Sequence, residues 1–145
     1  MVATFKFAKQ MNIQIIEVPK IEDYRGNIAI IEGDVLPFEV KRVYYLFDVP
    51  SSAKRGGHAH KEQLEFLIPL SGSFDVVLKD GIETQKVTLN KPDKGLLINT
   101  NIWRELENFS SGSVCLVIAS DVFCEEDYIR NYDEFVAYID ANRKS

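Results

Sequence analysis

The spacing of its turn signals constrains this chain more than any other feature. From Ile13 to Ala119, short runs rich in β-branched and aromatic residues alternate with breaks containing Gly, Asp or Ser, the texture of strands joined by tight connections. Residues 13–18, 28–32, 39–47, 64–70, 74–79, 83–89, 95–98 and 113–119 read as strands. The breaks include Asp23-Tyr24-Arg25-Gly26, Ser71-Gly72, Pro92-Asp93-Lys94-Gly95 and Ser110-Ser111-Gly112. Asp80-Gly81, set between two alternating runs, predicts a hairpin, because glycine readily takes the positive φ that such a turn requires. About eight short strands at regular spacing predict an all-β sandwich or closed barrel.

The texture changes at Glu125. Tyr128, Ile129, Tyr132, Phe135, Val136 and Ile139 recur at helical spacing and make one apolar stripe. Glu125, Glu126 and Asp127 crowd the start, while Arg143 and Lys144 lie at the end, as the helix dipole favours. One amphipathic helix over about 125–142, packed on the barrel, is the expectation. No repeat, linker or low-complexity tract interrupts the chain, so 1–145 reads as a single domain.

Charge and cysteine usage remove several function classes. A net charge of -5 repels nucleic acid and anionic membrane, so an anionic ligand has to be held by a local cluster of Arg and Lys. No apolar run reaches the length of a membrane span, and the N-terminus lacks a signal-type segment. Cys115 lies inside an apolar run and Cys124 stands alone, which suggests no disulfide framework. A cytoplasmic location is the expectation.

Chemistry concentrates in Lys54-Arg55-Gly56-Gly57-His58-Ala59-His60-Lys61, which holds both histidines of the chain. On an extended strand, residues two apart share a face, so the two imidazoles project together just after a glycine turn. Acid/base catalysis is one use for such a pair, since imidazole is the side chain that titrates nearest neutrality. Metal ligation is the other. His58, His60, Glu65 and Gly72 reproduce the H-x-H, x4, E, x6, G spacing of a cupin metal motif. No further histidine exists to complete such a site, and the later strands offer only Trp103 and Arg104 near the expected position. Two histidines and a carboxylate still suffice to hold iron.

Four stretches occur together and in order: Asp23-Tyr24-Arg25-Gly26, 40–48 (VKRVYYLFD), Arg55-Gly56-Gly57-His58-Ala59-His60-Lys61, and Ser120-Asp121 followed by Asp127-Tyr128-Ile129-Arg130. In this the chain resembles the sugar 3,4-ketoisomerases, which act on thymidine-diphosphate 4-keto-6-deoxyglucose and are relatives of the sugar 3,5-epimerases. The resemblance runs from about Ile13 into the final helix. It implies a cupin or jelly-roll β-barrel with a C-terminal amphipathic helix, a homodimer, no cofactor and no metal. It also implies a product, a 3-keto sugar, that leads to the 3-amino-3,6-dideoxyhexoses of surface polysaccharides. The chain departs from the family at Glu65, where Gln is more usual, at Arg104, where some members carry His, and at Phe123 and Cys124.

The implied reaction needs a base for the hydrogen on carbon 3, an acid, and a donor for the enediolate oxygen. The resemblance points to His60 as base with His58 as its proton-shuttling partner. Arg42, Tyr44, Tyr45, Arg55 and Lys61 are candidates for sugar and oxyanion contacts. Strand alternation puts Arg42 and Tyr44 on one face and leaves Tyr45 on the other, toward the core. Arg25, in a turn, suits a diphosphate, because guanidinium binds phosphate in a fork. Trp103 either stacks on the thymine or fills core. Glu65 is expected to accept hydrogen bonds and orient a histidine or a sugar hydroxyl. Its place five residues after His60 requires a turn at 61–63 that carries it to the next strand. Alternatives are a metal-dependent cupin using His58, His60 and Glu65, a non-catalytic sugar-nucleotide module, and a 3,5-epimerase. Association of two copies is expected through segment 13–18, by edge pairing or strand exchange.

Overall fold

The computed structural model describes residues 11–143. Two five-stranded antiparallel sheets face each other. The first contains β1 (Ile13–Glu17), β4 (Arg42–Phe47), β6 (Glu65–Ser71), β9 (Lys94–Ile98) and β11 (Val114–Ala119), in the order β1-β9-β6-β11-β4. The second contains β5 (Arg55–His60), β7 (Phe74–Lys79), β8 (Thr84–Leu89), β10 (Trp103–Glu107) and β12 (Tyr128–Ile129), in the order β12-β5-β10-β7-β8. A short hairpin, β2 (Lys20–Ile21) with β3 (Ile28–Ala29), stands apart, and α1 (Tyr132–Arg143) follows β12. This is the expected cupin or jelly-roll arrangement with a C-terminal helix. The two sheets do not join edge to edge into a closed barrel.

Alternation along each strand decides what lies between the sheets. Leu67, Leu96, Ile98, Cys115 and Val117 of the first sheet meet Phe74, Val76, Leu78, Leu89 and Leu106 of the second in one buried cluster. The opposite face of the first sheet, Phe66, Ile68, Leu97 and Ile118, is covered by Val18 and Leu36. The outer face of the second sheet, Ala59 and Trp103, is covered by Ile129, Phe135 and Ile139. The predicted hairpin forms at Asp80-Gly81: Gly81 takes φ 93°, and Asp80 Oδ1 accepts the backbone N–H of Ile82 and Glu83 at 2.8 and 2.7 Å.

Sequence and structure part company in three places. The run 28–32 shortens to Ile28–Ala29, and 39–47 begins only at Arg42. Strands β5, β10 and β12 carry too weak an alternation to be read in advance, and they form by pairing with one another and with β7. The helix begins at Tyr132, not at Glu125. Asn131 caps it, its Oδ1 accepting the Glu134 N–H at 3.0 Å. The preceding residues turn once as a 3₁₀ segment (Glu125–Asp127) and then pair with β5, Tyr128 opposite His60 and Ile129 opposite Ala59.

Gly95 marks how closely β6 and β9 pack. A Cβ there would lie 2.6 Å from the Leu67 carbonyl oxygen and clash with the Phe66 ring. Gly95→Ala should therefore cost about 1–3 kcal/mol through overpacking, read as a lower urea midpoint at unchanged slope.

Candidate active site

Between the two sheets, where β4, β5, β6 and β10 come together, a cavity of about 330 Å³ opens. Arg42 and Tyr44 enter it from β4, Glu65 from β6, His58 from β5 and Arg104 from β10, with Tyr128 and Arg130 across its mouth. Strand parity explains the selection. His58 and His60 point inward while Ala59 between them faces the helix, and Arg104, register partner of His58, points inward while Trp103 faces out.

Glu65 is the hub. Its Oε1 accepts from Arg104 Nη1 at 2.7 Å, and its Oε2 accepts from the Tyr44 hydroxyl at 2.9 Å and the Gln63 amide at 2.8 Å. The required turn is there: residues 61–64 reverse the chain, and β6 starts at Glu65 itself. Burial alone would raise the carboxyl, but His60 and the Arg104 charge override it and hold Glu65 below the usual carboxylate range. Burial, then the Glu65 charge, pushes the Tyr44 hydroxyl well above its ordinary value, so Tyr44 is a donor at every working pH.

The two histidines sit in unlike settings. His60 is fully buried, its Nδ1 2.9 Å from Asp127 Oδ2 and its Nε2 3.5 Å from both Gln63 Nε2 and Glu65 Oε2. Asp127 is itself anchored by the backbone N–H of Glu62, at 2.6 Å to Oδ1. His58 places Nδ1 against the Gly56 carbonyl oxygen, which fixes the proton on Nδ1. Its Nε2 is then a bare lone pair, buried and without a partner among the described residues. Burial, then the Arg104 charge, lowers the His58 pKa to about 3. Tyr128 packs against both imidazoles, ring centroids 5.1 Å from His58 and 4.4 Å from His60. Two further buried polar atoms of cavity-lining residues lack partners among the described residues, Arg42 Nη1 and Arg104 Nε. A lone pair and two N–H donors on cavity-lining residues are therefore left to pair.

Comparison with known proteins follows the same lines. The family model described as "FdtA: WxcM-like, C-terminal" matches residues 11–140. The TDP-4-oxo-6-deoxy-alpha-D-glucose-3,4-oxoisomerase of Aneurinibacillus thermoaerophilus is 45% identical over 130 residues, 89% of this chain and 94% of that protein. The chain belongs to the sugar 3,4-ketoisomerase family. Among solved structures, a 3,4-ketoisomerase from Helicobacter canadensis matches with TM-score 0.88 at 42% identity, over 90% of this chain and 99% of that one. A variant of the 3,4-ketoisomerase from Thermoanaerobacterium thermosaccharolyticum, in complex with TDP-4-keto-6-deoxyglucose, matches with TM-score 0.86 at 40% identity, over 88% and 94%.

Within this ketoisomerase fold, several residues expected at the site lie elsewhere. Trp103 is in the outer core, its ring 5.4 Å from Tyr132 and 5.9 Å from Phe135, and its indole N–H donates to Glu105. Arg25 sits on the β2–β3 turn, exposed and paired with Asp23 at 2.9 Å, outside the cavity walls. Lys61 turns away toward the Tyr138 ring. Tyr45 is not core: it borders the cavity but is 60% exposed, with its ring beside Phe47 on the outer face. Arg42, Tyr44, Arg55, His58 and Glu65 do line the cavity, while His60 stands behind its wall. Sequence reasoning missed Asp127, Gln63, Tyr128 and Arg130, and treated Arg104 only as an oddity. The signal was present in Asp127-Tyr128-Ile129-Arg130, which the helical stripe had absorbed.

As the cupin metal spacing in the sequence predicts, His58, His60 and Glu65 keep ligand atoms within 4.8 Å of one another. The residues present do not fit an ion. Both oxygens of Glu65 are committed, one to a guanidinium and one to Tyr44 and Gln63.

His58 makes the pH behaviour testable. Its folded pKa of about 3 lies below the ordinary 6.5, so the unfolded chain binds the extra proton first. The His58 contribution to stability is complete above pH 6.5 and is lost as pH falls from there toward 3. In the folded enzyme His58 stays neutral across that window. The His58 ring-proton shifts in NMR should thus stay those of a neutral imidazole down to about pH 5, with folding checked at each pH by circular dichroism. An inflection near 6.5 in the folded protein would contradict this environment.

Proposed function

We propose that this single-domain chain moves the keto group of thymidine-diphosphate 4-keto-6-deoxy-D-glucose from carbon 4 to carbon 3 through an enediolate. The observation that carries the reading is the unpartnered Nε2 of His58, a buried lone pair with donors beside it. The hydrogen on carbon 3 is acidified by the adjacent carbonyl, so a base removes it without a redox partner. The electron pair left on carbon 3 forms the double bond to carbon 4, and the carbon 4 oxygen takes the negative charge. Arg42 and Arg104, with free N–H groups at the cavity, suit that oxygen. Proton transfer from the carbon 3 hydroxyl to the carbon 4 oxygen, with return of a proton to carbon 4, completes the isomerisation.

In this reading His58 is the base, and His60 is its support. His60 does not line the cavity and is pinned through Asp127, whereas His58 faces the cavity with the proton fixed on its far nitrogen. The order implied by the motif is thereby reversed. Diphosphate binding falls to Arg55 and Arg130 at the rim, cations gathered locally against a net charge of -5. His58→Asn should cut turnover by on the order of 100-fold or more while leaving thymidine-diphosphate affinity nearly unchanged. His60→Asn should lose less and keep measurable exchange. Incubation with the 4-keto sugar nucleotide in deuterated water, followed by NMR, reads exchange at carbon 3, the position of the ketone and the face protonated. Full exchange by His58→Asn would remove it as base. Binding without any exchange by the wild type would make the chain a binding module, and inversion at carbon 5 an epimerase.

The reading includes a homodimer. Val43, Tyr45 and Phe47 expose 53%, 60% and 59% of their surface along the outer face of β4, which ends its sheet. An apolar stripe on an open edge strand suits a second copy. β1 pairs with β9 of its own chain, so only its remaining edge is open to a partner. Sedimentation at micromolar concentration should give a dimer, and Phe47→Asp should shift it toward monomer. A wild-type monomer would contradict the assembly. Among the described residues no helix is long and apolar enough to cross a membrane.

A further inference from the structure

The cupin metal spacing is preserved in the fold as well as in the sequence. His58 and His60 on β5 and Glu65 on β6 converge, and two imidazoles with a carboxylate make a competent ligand set for a divalent ion when their lone pairs are free. What stands opposite His58, at its register partner on β10, is Arg104. Arg104 is 1% exposed; its Nη1 holds Glu65 Oε1 at 2.7 Å, and its Nη2 holds the Ile102 carbonyl oxygen at 2.9 Å.

We propose that Arg104 is an internal stand-in for a metal ion: its guanidinium neutralises Glu65, closes the His58–His60–Glu65 triad to divalent cations, and so leaves His58 Nε2 its lone pair. The last clause rests on the reading of His58 as base; the exclusion of metal does not. Three physical facts support it. Guanidinium does not lose its proton at any working pH, so Arg104 cannot make room by becoming neutral. An ion bound to the triad would face that fixed positive charge at short range in a poorly screened interior. Arg104 also cannot swing aside cheaply, since it would leave both its own charge and the Glu65 carboxylate buried and unpaired. A chain living among zinc, iron and manganese has reason to guard such a triad, because a coordinated imidazole no longer accepts a proton.

The proposal makes this a latent metal site one substitution away. Arg104→His would set a third imidazole opposite His58 and complete a three-histidine, one-carboxylate shell. The test is Co2+ added to chelator-treated protein without substrate, followed by the visible absorption of bound cobalt and by calorimetry. Wild type should show no stoichiometric binding, whereas Arg104→His should bind about one equivalent, roughly 100-fold tighter or more. Glu65→Gln in that background should abolish the gain. Removing Arg104 strips Glu65 of its partner, so melting temperature is measured with and without Co2+. The ion should stabilise Arg104→His and leave wild type and Arg104→Lys unmoved. Stoichiometric binding by wild type as tight as by Arg104→His, lost in His58→Asn, would overturn the proposal. So would an Arg104→His protein that Co2+ neither colours nor stabilises. None of these readouts involves turnover, so their failure is separable from failure of the His58 assignment, which the deuterium experiment decides.

Discussion

The buried pair between Glu65 and Arg104 joins the two sheets and organises everything around it. One partner comes from β6 and the other from β10, and both are almost fully enclosed. Such a pair is a poor device for stability, since taking each ion out of water costs several kcal/mol and the mutual attraction barely repays it. Its return is geometric. With Oε1 held by Arg104, Oε2 is aimed at Tyr44 and Gln63 and lies 3.5 Å from His60 Nε2. The carboxylate thus fixes three side chains from three directions, while burial, helped by the Arg104 charge, depresses the basicity of His58.

Asp127 performs the matching task on the other side of the histidines. It accepts from His60 Nδ1 and from the backbone N–H groups of Glu62 and Gln63, while its own carbonyl oxygen accepts from Lys61. One residue thereby shapes the turn that delivers Glu65 and holds the imidazole preceding that turn. It also explains why the helix starts late. Residues 125–129 are spent on the 3₁₀ turn and on pairing β12 with β5, so helical hydrogen bonding begins only after Asn131.

How far the sequence reveals this depends on whether the information is local. Runs such as 74–79 and 113–119 were legible because each carries its own inward-outward alternation. β5 was not, because Gly56 and Gly57 dilute the pattern and its strand geometry comes from partners on β10 and β12. The histidine pair and its parity were visible; Asp127, 67 residues beyond His60, was not. The stripe from Tyr128 to Ile139 misled because Tyr128 and Ile129 satisfy a helical period and a two-residue strand equally well. A sharper local cue was available: Asn131 followed three residues later by Glu134 is a capping arrangement. Arg25 and Trp103 failed for another reason. Residue chemistry says what a side chain can bind, while strand parity and packing decide whether it faces a cavity.

Charge in this molecule is handled in two different ways, and the division follows function. Inside, Arg104 is locked to a carboxylate, and its charge is consumed in holding the site together. At the rim, Arg42 rests over the rings of Tyr44 and Phe123 at 4.7 and 5.6 Å and donates to the Tyr128 hydroxyl. Aromatic faces orient a guanidinium without neutralising it, so its positive potential stays available to an anion. Arg130 shares the design, lying 4.1 Å over the Tyr128 ring, but its fork is filled by Glu125, at 2.7 and 2.9 Å. Both members of that pair are more than half exposed, which makes the bond worth little and easily exchanged. A phosphate arriving at the rim can replace the Glu125 carboxylate at small cost while Tyr128 keeps the guanidinium in place. The same Tyr128 ring packs against both imidazoles, so one side chain touches the rim guanidinium and the histidine pair together.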